Sequence, residues 1–67
     1  MQLLTFNTTL KEATLYTSDG KLDQVWKSVP TVKILEGYYE VIQRDEFDKS
    51  YPVFRCPISN TNMRIDR

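Results

Sequence analysis

The residue types that most often carry enzyme chemistry are sparse in this chain. Histidine is absent, so the side chain that most often serves as general acid or base near neutral pH is missing. The only glycines, Gly20 and Gly37, are too few and too far apart for a phosphate-binding loop. We therefore expect no catalytic residue and no enzyme activity.

Cys56 is the only cysteine, and it lies between Arg55 and Pro57. A neighbouring cation favours the reactive thiolate, but the chain has no histidine or second cysteine to act as base or resolving thiol. Cysteine in a strand is most often a small buried apolar residue, so we expect Cys56 to pack in the core. A lone thiol forms no intramolecular disulfide and fits a reducing compartment.

Metal-ligating patterns are also lacking. Zinc sites built from cysteine and histidine are excluded by composition. Asp45, Glu46 and Asp48 lie close together, but they lack the alternating oxygen ligands, central glycine and terminal glutamate of an EF-hand loop. We interpret the segment Asp45–Ser50 as a solvated connecting loop and expect neither a metal nor a cofactor.

The aromatic residues indicate a binding function. Tyr38 and Tyr39 are adjacent, so in a strand they point to opposite faces and at most one of them belongs to the core. Glu36, Tyr38 and Glu40 recur at a spacing of two and share one face, which we expect to be exposed and acidic. Tyrosine is frequent among the residues that dominate interface energetics. The predicted partner-binding residues are therefore Glu36, Tyr38, Tyr39 and Glu40.

Two classes of function fit such a surface. The first is a non-catalytic protein that associates with a larger protein and modulates or inhibits it. The second is a small β-barrel that binds single-stranded nucleic acid, with tyrosines as stacking platforms and cations as phosphate contacts. The cations that would have to share one face are Lys27, Lys33, Arg44, Arg55 and Arg64. Nine basic residues balance nine acidic ones, and glutamates flank the tyrosines, so a protein partner is favoured.

The elements that position these side chains are short and extended. Asp19-Gly20 between two alternating runs predicts a hairpin with a type I′ turn, and Gly37 predicts a turn or a bulge. A one-turn helix over Leu22–Ser28 is the alternative to a strand there. The predicted extended segments are Gln2–Thr8, Glu12–Ser18, Lys21–Lys27, Thr31–Glu36, Tyr38–Arg44, Tyr51–Ile58 and Met63–Ile65.

Together these segments predict one mainly β domain over residues 1–67, built from five to six short strands. A small antiparallel meander, or a barrel of the SH3-like or OB-like kind, would leave few exposed edges. A curved sheet with one short helix is the alternative. The predicted core is Leu4, Phe6, Leu15, Val25 or Trp26, Val32, Ile34, Val41, Val53, Phe54 and Ile58. Self-association would enlarge so small a core, so a homo-oligomer stays open.

Taken as a whole, the chain resembles the small accessory proteins of tailed bacteriophages. The resemblance lies in an encoded Met1, no linker or targeting segment, and a compact length of 67 residues. It implies a host-takeover or anti-defence protein that binds and redirects or blocks a host enzyme, a nuclease or a defence protein, and it assigns no site residue. The sequence has no signal peptide and no apolar run long enough for a membrane span, so we expect it in the cytoplasm of the bacterial host, away from membranes.

Overall fold

The computed structural model describes all 67 residues, and 63% of them lie in β-strands. A three-residue 3-10 turn, Ile58–Asn60, is the one helical element, and no helix has the length and apolar character needed to cross a bilayer. The mainly β fold class is confirmed. The strands are β1 (Gln2–Asn7), β2 (Glu12–Tyr16), β3 (Leu22–Trp26), β4 (Thr31–Leu35), β5 (Tyr38–Arg44), β6 (Ser50–Pro57) and β7 (Thr61–Asp66).

Two of the sequence predictions need correction in detail. There are seven strands rather than five or six, because the C-terminal segment forms a full strand of six residues beside β1. Residues 22–26 form strand β3, so the helical alternative over Leu22–Ser28 is wrong. The backbone pairing of β3 with β2 explains this outcome, since the hairpin supplies hydrogen bonds along the segment.

The strands form two sheets. Sheet A has the order β3-β2-β1-β7, and sheet B is the meander β4-β5-β6. All neighbours are antiparallel except β1 and β7, which run parallel with Gln2 beside Thr61 and Asn7 beside Asp66. The parallel pair arises because the 3-10 turn carries the chain from β6 in sheet B to the edge of sheet A, where β7 follows the direction of β1.

The hairpin predicted at Asp19-Gly20 is present, but its turn differs from the predicted type. The Gly20 amide donates to the Thr17 carbonyl at 2.9 Å, and the Thr17 amide donates to the Lys21 carbonyl at 2.8 Å. Gly20 has a φ of +84°, whereas Asp19 does not have a positive φ, so the type I′ turn is wrong. The loop has three residues and ends in a left-handed glycine, a common hairpin connection. Gly37, also at φ +84°, lies in the turn between β4 and β5.

The core lies between the inner faces of the two sheets. Across it, the rings of Trp26 and Phe54 lie 4.9 Å apart, joining β3 of sheet A to β6 of sheet B. The buried core cluster consists of Leu4, Phe6, Ala13, Leu15, Val29, Val41 and Cys56. Half-buried apolar residues that pack against it are Trp26, Val32, Tyr39, Val53, Phe54 and Met63. Most of the predicted core is therefore confirmed, and Trp26 rather than Val25 faces inward.

The predicted core is wrong at Ile34, which is 73% exposed, and of the two alternatives on β3 Val25 is the outward one, at 47% exposed. Both residues lie on strands at sheet edges, where a side chain has a neighbouring strand on one side only. Ile58 is half-buried in the 3-10 turn. Conversely, Val29 is fully buried although it lies in the loop before β4, where its amide donates to the carbonyl of Lys11.

Candidate partner-binding face

The predicted binding residues lie on or beside β5, the central strand of sheet B. The register across β4, β5 and β6 forms one row of Leu35, Tyr38 and Pro57 and the next row of Lys33, Glu40 and Arg55. Side chains in these rows point away from the core, because Tyr39 and Val41, which alternate with them along β5, pack against it. We call this surface the outer face of sheet B.

The two adjacent tyrosines occupy opposite faces. Tyr38 is 44% exposed on the outer face, whereas Tyr39 is half-buried against the core, opposite Cys56. This arrangement is the alternation that the sequence predicted. Glu36 is exposed in the turn between β4 and β5. The structure thus places Tyr38 and Glu40 on the outer face, Tyr39 on the opposite face and Glu36 in the turn before β5.

Arg55 organises the outer face. Its Nε and Nη2 atoms both donate to Oε2 of Glu40, at 3.2 and 2.7 Å. The guanidinium carbon Cζ also lies 5.6 Å from the centroid of the Tyr38 ring, within the range of a cation–π interaction. Cross-strand register causes this arrangement, because Arg55 lies directly opposite Glu40 in the antiparallel pair of β5 and β6.

The face is exposed at Tyr38, Lys33 and Arg55, as expected, but the expectation that it is acidic is wrong at Glu40. Only 10% of the Glu40 side chain is exposed, while 56% of the Arg55 side chain is exposed. The Glu40 charge is therefore compensated within the protein, and the exposed charges of this row are those of Arg55 on β6 and Lys33 on β4, on either side of Glu40. The sequence analysis named Arg55 only as a possible nucleic-acid contact and not as a partner-binding residue. Its place opposite Glu40 depends on the register of β6, which shifts at a β-bulge opposite Val41 and Ile42.

The cations proposed as nucleic-acid contacts do not form one surface. Lys33 and Arg55 lie on the outer face of sheet B. Lys27 and Arg44 line a groove at the far end of β5, and Arg64 lies on β7 beside Thr5 in sheet A. A continuous positive track for a single strand of nucleic acid needs these charges together, and the fold separates them.

That groove is the largest cavity in the structure, with a volume of about 600 Å³. Its lining mixes cations with carboxylates, and Arg44 pairs with Asp48 at 3.6 Å. The three non-glycine residues with positive φ, Lys11, Ser28 and Asp48, all line it. Backbone hydrogen bonds from Val29 to Lys11 and from Arg44 to Ser28 join its walls. Lys11 and Ser28 thus lie where the loops of the two sheets are joined, whereas Asp48 lies in the β5–β6 turn, where its amide donates to the carbonyl of Asp45 at 3.1 Å. No signal in the sequence indicated the groove.

Cys56 lies in the core with 1% of its surface exposed. Burial raises the pKa of the thiol because it disfavours the thiolate, and a hydrogen bond with the Thr61 side chain acts in the opposite direction with smaller effect. The Arg55 side chain next in sequence points to the outer face instead, toward Glu40. Cys56 therefore has the surroundings of a packing residue and not of a nucleophile.

No group of three or more histidine, cysteine, aspartate or glutamate side chains converges in a way that could hold a metal ion. The polar side chains that are buried all have hydrogen-bond partners, so no orphaned group points to a missing ligand. The outer face of sheet B holds the ion pair with the least exposed carboxylate, that of Glu40 with Arg55. In comparisons with known proteins, no protein-family model, no curated protein and no solved structure matches this chain.

Proposed function

We propose that the chain is a non-catalytic binding protein that associates with a larger protein and modulates or inhibits it through the outer face of sheet B. The observation that carries this proposal is the position of Arg55, which lies against both the Glu40 carboxylate and the exposed Tyr38 ring. Tyrosine and arginine are enriched among the residues that dominate protein interfaces.

Pre-organisation is the physical advantage of this arrangement. A free arginine loses considerable rotamer freedom when a partner immobilises it, and that loss weakens binding. Here the two hydrogen bonds to Glu40 already restrict Arg55, while more than half of its side chain stays accessible. Its remaining N–H donors are free to bind a partner, so less of the interaction free energy is lost to ordering.

The exposed chemistry indicates what the partner offers. Tyr38 supplies an aromatic contact surface, and Arg55 and Lys33 present positive charge. A complementary surface carries carboxylates around a shallow apolar site, so that unlike charges guide and orient the encounter. An acidic face would have suited a basic partner surface. Because Glu40 is paired with Arg55 and mostly buried, such a basic partner is not favoured.

The biological setting belongs to the same proposal. The resemblance to small accessory proteins of tailed bacteriophages supports an inhibitor of a host enzyme or defence protein that acts in the bacterial cytoplasm. A reducing compartment suits the free Cys56 thiol. The separation of the cations over three surfaces supports a protein partner over single-stranded nucleic acid.

Paired tyrosine variants test the proposed face. Affinity capture from lysate of the native host identifies the partner, whose affinity is then measured by calorimetry. Tyr38→Ala is expected to weaken the complex by about thirtyfold, the equivalent of about 2 kcal/mol for a central interface residue. Tyr51→Ala is the matched control, because Tyr51 is 42% exposed against 44% for Tyr38 but lies on the opposite side of sheet B.

Two outcomes would contradict the proposal. Equal affinities of the wild type, Tyr38→Ala and Arg55→Ala would show that the face is wrong. Tight binding of a single-stranded oligonucleotide at physiological salt, falling steeply with added salt and with no protein partner found, would reject the class of function itself.

A further inference from the structure

The two sheets leave four edge strands, β3 and β7 in sheet A and β4 and β6 in sheet B. Each edge presents backbone N–H and C=O groups that another strand could pair with. Three edges are less suited to pairing with a second copy. Strand β6 contains Pro52 and Pro57, and β4 has Lys33 at its centre. In β7, Arg64 and Asp66 already pair with each other at 3.3 Å and leave no unpaired charge for a second copy.

Strand β3 contains no proline, and its central residue is the uncharged Gln24. Four of its five residues are exposed, among them Leu22 at 61% and Val25 at 47%. Asp23 and Lys27 lie two residues on either side of Val25 and form no ion pair within the chain. The edge therefore carries an apolar residue between two unlike charges that lack a partner.

This spacing is self-complementary. When two copies of β3 run antiparallel with Val25 opposite Val25, Asp23 of each copy lies opposite Lys27 of the other. Unlike charges directly opposite each other stabilise an antiparallel pair, and like charges destabilise it. Asp23 is the bulged residue between Leu22, which pairs with Tyr16, and Gln24, which pairs with Leu15, and Lys27 directly follows β3. The two charges therefore flank the regular edge, residues 24–26.

We infer that β3 is a homodimerisation edge, through which two copies pair antiparallel about a two-fold axis at Val25, with Asp23 of each copy facing Lys27 of the other. The pairing joins the two four-stranded sheets into one continuous sheet. It leaves the outer face of sheet B free, because that face belongs to the other sheet. The inference is therefore independent of the proposed function.

Charge reversal at the two ends of the edge tests the dimer. Sedimentation equilibrium over a range of concentrations gives the dissociation constant. Asp23→Lys and Lys27→Asp each set like charges opposite each other twice per dimer, and each is expected to weaken the dimer about tenfold or more. The double variant, in which Asp23→Lys and Lys27→Asp are combined, restores the unlike pairs and the dimer. Lys33→Asp, the same charge change on β4, is the control and leaves dimerisation unchanged.

A cysteine scan tests the register. Opposed residues in an antiparallel pair have Cα atoms about 4.5–5.5 Å apart, which lies within the span of a disulfide. Val25→Cys is therefore expected to form a disulfide-linked dimer with oxidised glutathione, while the buried Cys56 stays reduced. Gln24→Cys is the control, since it lies opposite Trp26 of the second copy and gives little cross-linked dimer.

Several outcomes would overturn the inference. A protein that stays monomeric at millimolar concentration has no such interface. A dimer that tolerates Asp23→Lys uses another surface, and failure of the double variant to restore association contradicts the proposed ion pairs. Cross-linking of Gln24→Cys as efficient as that of Val25→Cys contradicts the register.

Discussion

At the level of single residues, burial determines the behaviour of the Cys56 thiol. Its pKa is raised in the folded protein, whereas in the unfolded chain it titrates near about 8.5. Above that pH the unfolded chain releases a proton that the folded protein retains, so the free energy of unfolding falls as pH rises toward the folded pKa. Below the unfolded pKa this contribution to stability is fully present.

Denaturant unfolding between pH 7 and 10 measures this effect. Other groups also titrate in this range, so the informative quantity is the difference in slope between wild type and Cys56→Ala. We expect the free energy of unfolding of the wild type to fall more steeply above pH 8.5 than that of the variant, whatever the offset caused by the lost side chain. Parallel curves would show that the thiol is not buried as the structure has it.

Glu40 shows that the exposure of a strand residue cannot be predicted without knowing its neighbour on the adjacent strand. Its spacing from Tyr38 correctly predicted a shared face, but its burial depends on Arg55, which is 15 residues away in sequence. A carboxylate with one-tenth of its side chain exposed is stable here because a guanidinium donates two hydrogen bonds to it. Glu40 thus holds the Arg55 side chain in place and contributes little to the exposed area of the face.

At the level of elements, the position of a strand within its sheet decides how much an apolar side chain contributes to the free energy of unfolding. Ile34 on edge strand β4 is 73% exposed, while Leu4 on the inner strand β1 is fully buried. Leu4→Ala is expected to lower the free energy of unfolding by about 2–5 kcal/mol through lost burial and the cavity left behind. Ile34→Ala should change it by about 0.5 kcal/mol or less.

Urea unfolding of the two variants measures both effects. A loss at Ile34→Ala as large as that at Leu4→Ala would mean that Ile34 is covered in solution, by a second copy or another partner. Repeating the measurement at several protein concentrations separates these cases, because the stability of a self-associating protein depends on its own concentration.

The local sequence pattern predicted the strands and the hairpins but not the pairing of segments that are distant in sequence. Alternation and turn residues located all the extended segments, and β5 was predicted with its observed bounds, Tyr38–Arg44. Three features depended on contacts distant in sequence: the parallel pairing of β7 with β1, the burial of Val29 in a loop, and the pairing of Arg55 with Glu40. None of these has a periodic signal, since each depends on how the two sheets meet.

At the level of the whole molecule, the two surfaces of interest lie on different sheets. The outer face of sheet B holds Tyr38 and Arg55, and the edge of sheet A holds β3. A dimer formed through β3 therefore displays two copies of the outer face of sheet B, the proposed binding face. If a partner itself offers two matching sites, such a bivalent arrangement raises the apparent affinity without any new contact.

The two sheets share one small core, so we expect them to unfold together. Trp26 is the only tryptophan, and its ring lies 4.9 Å from that of Phe54 in the opposite sheet, so its fluorescence reports on the contact between the sheets. Far-UV circular dichroism reports on the strands. Because neither sheet has another apolar surface large enough to stabilise it alone, the two transitions should coincide, as in a two-state protein.

Two phenylalanine variants sharpen this prediction. Phe54→Ala removes a half-buried ring at the contact between the sheets and leaves a partly solvated cavity. We expect the free energy of unfolding to fall by about 2 kcal/mol, and by the same amount in fluorescence and in circular dichroism. Phe47→Ala is the matched control, because Phe47 is 76% exposed at the tip of the β5–β6 hairpin and should shift neither by more than about 0.5 kcal/mol. If the fluorescence of Trp26 changes while the circular dichroism signal persists, the sheets separate before they unfold, and the shared core is not what holds each sheet together.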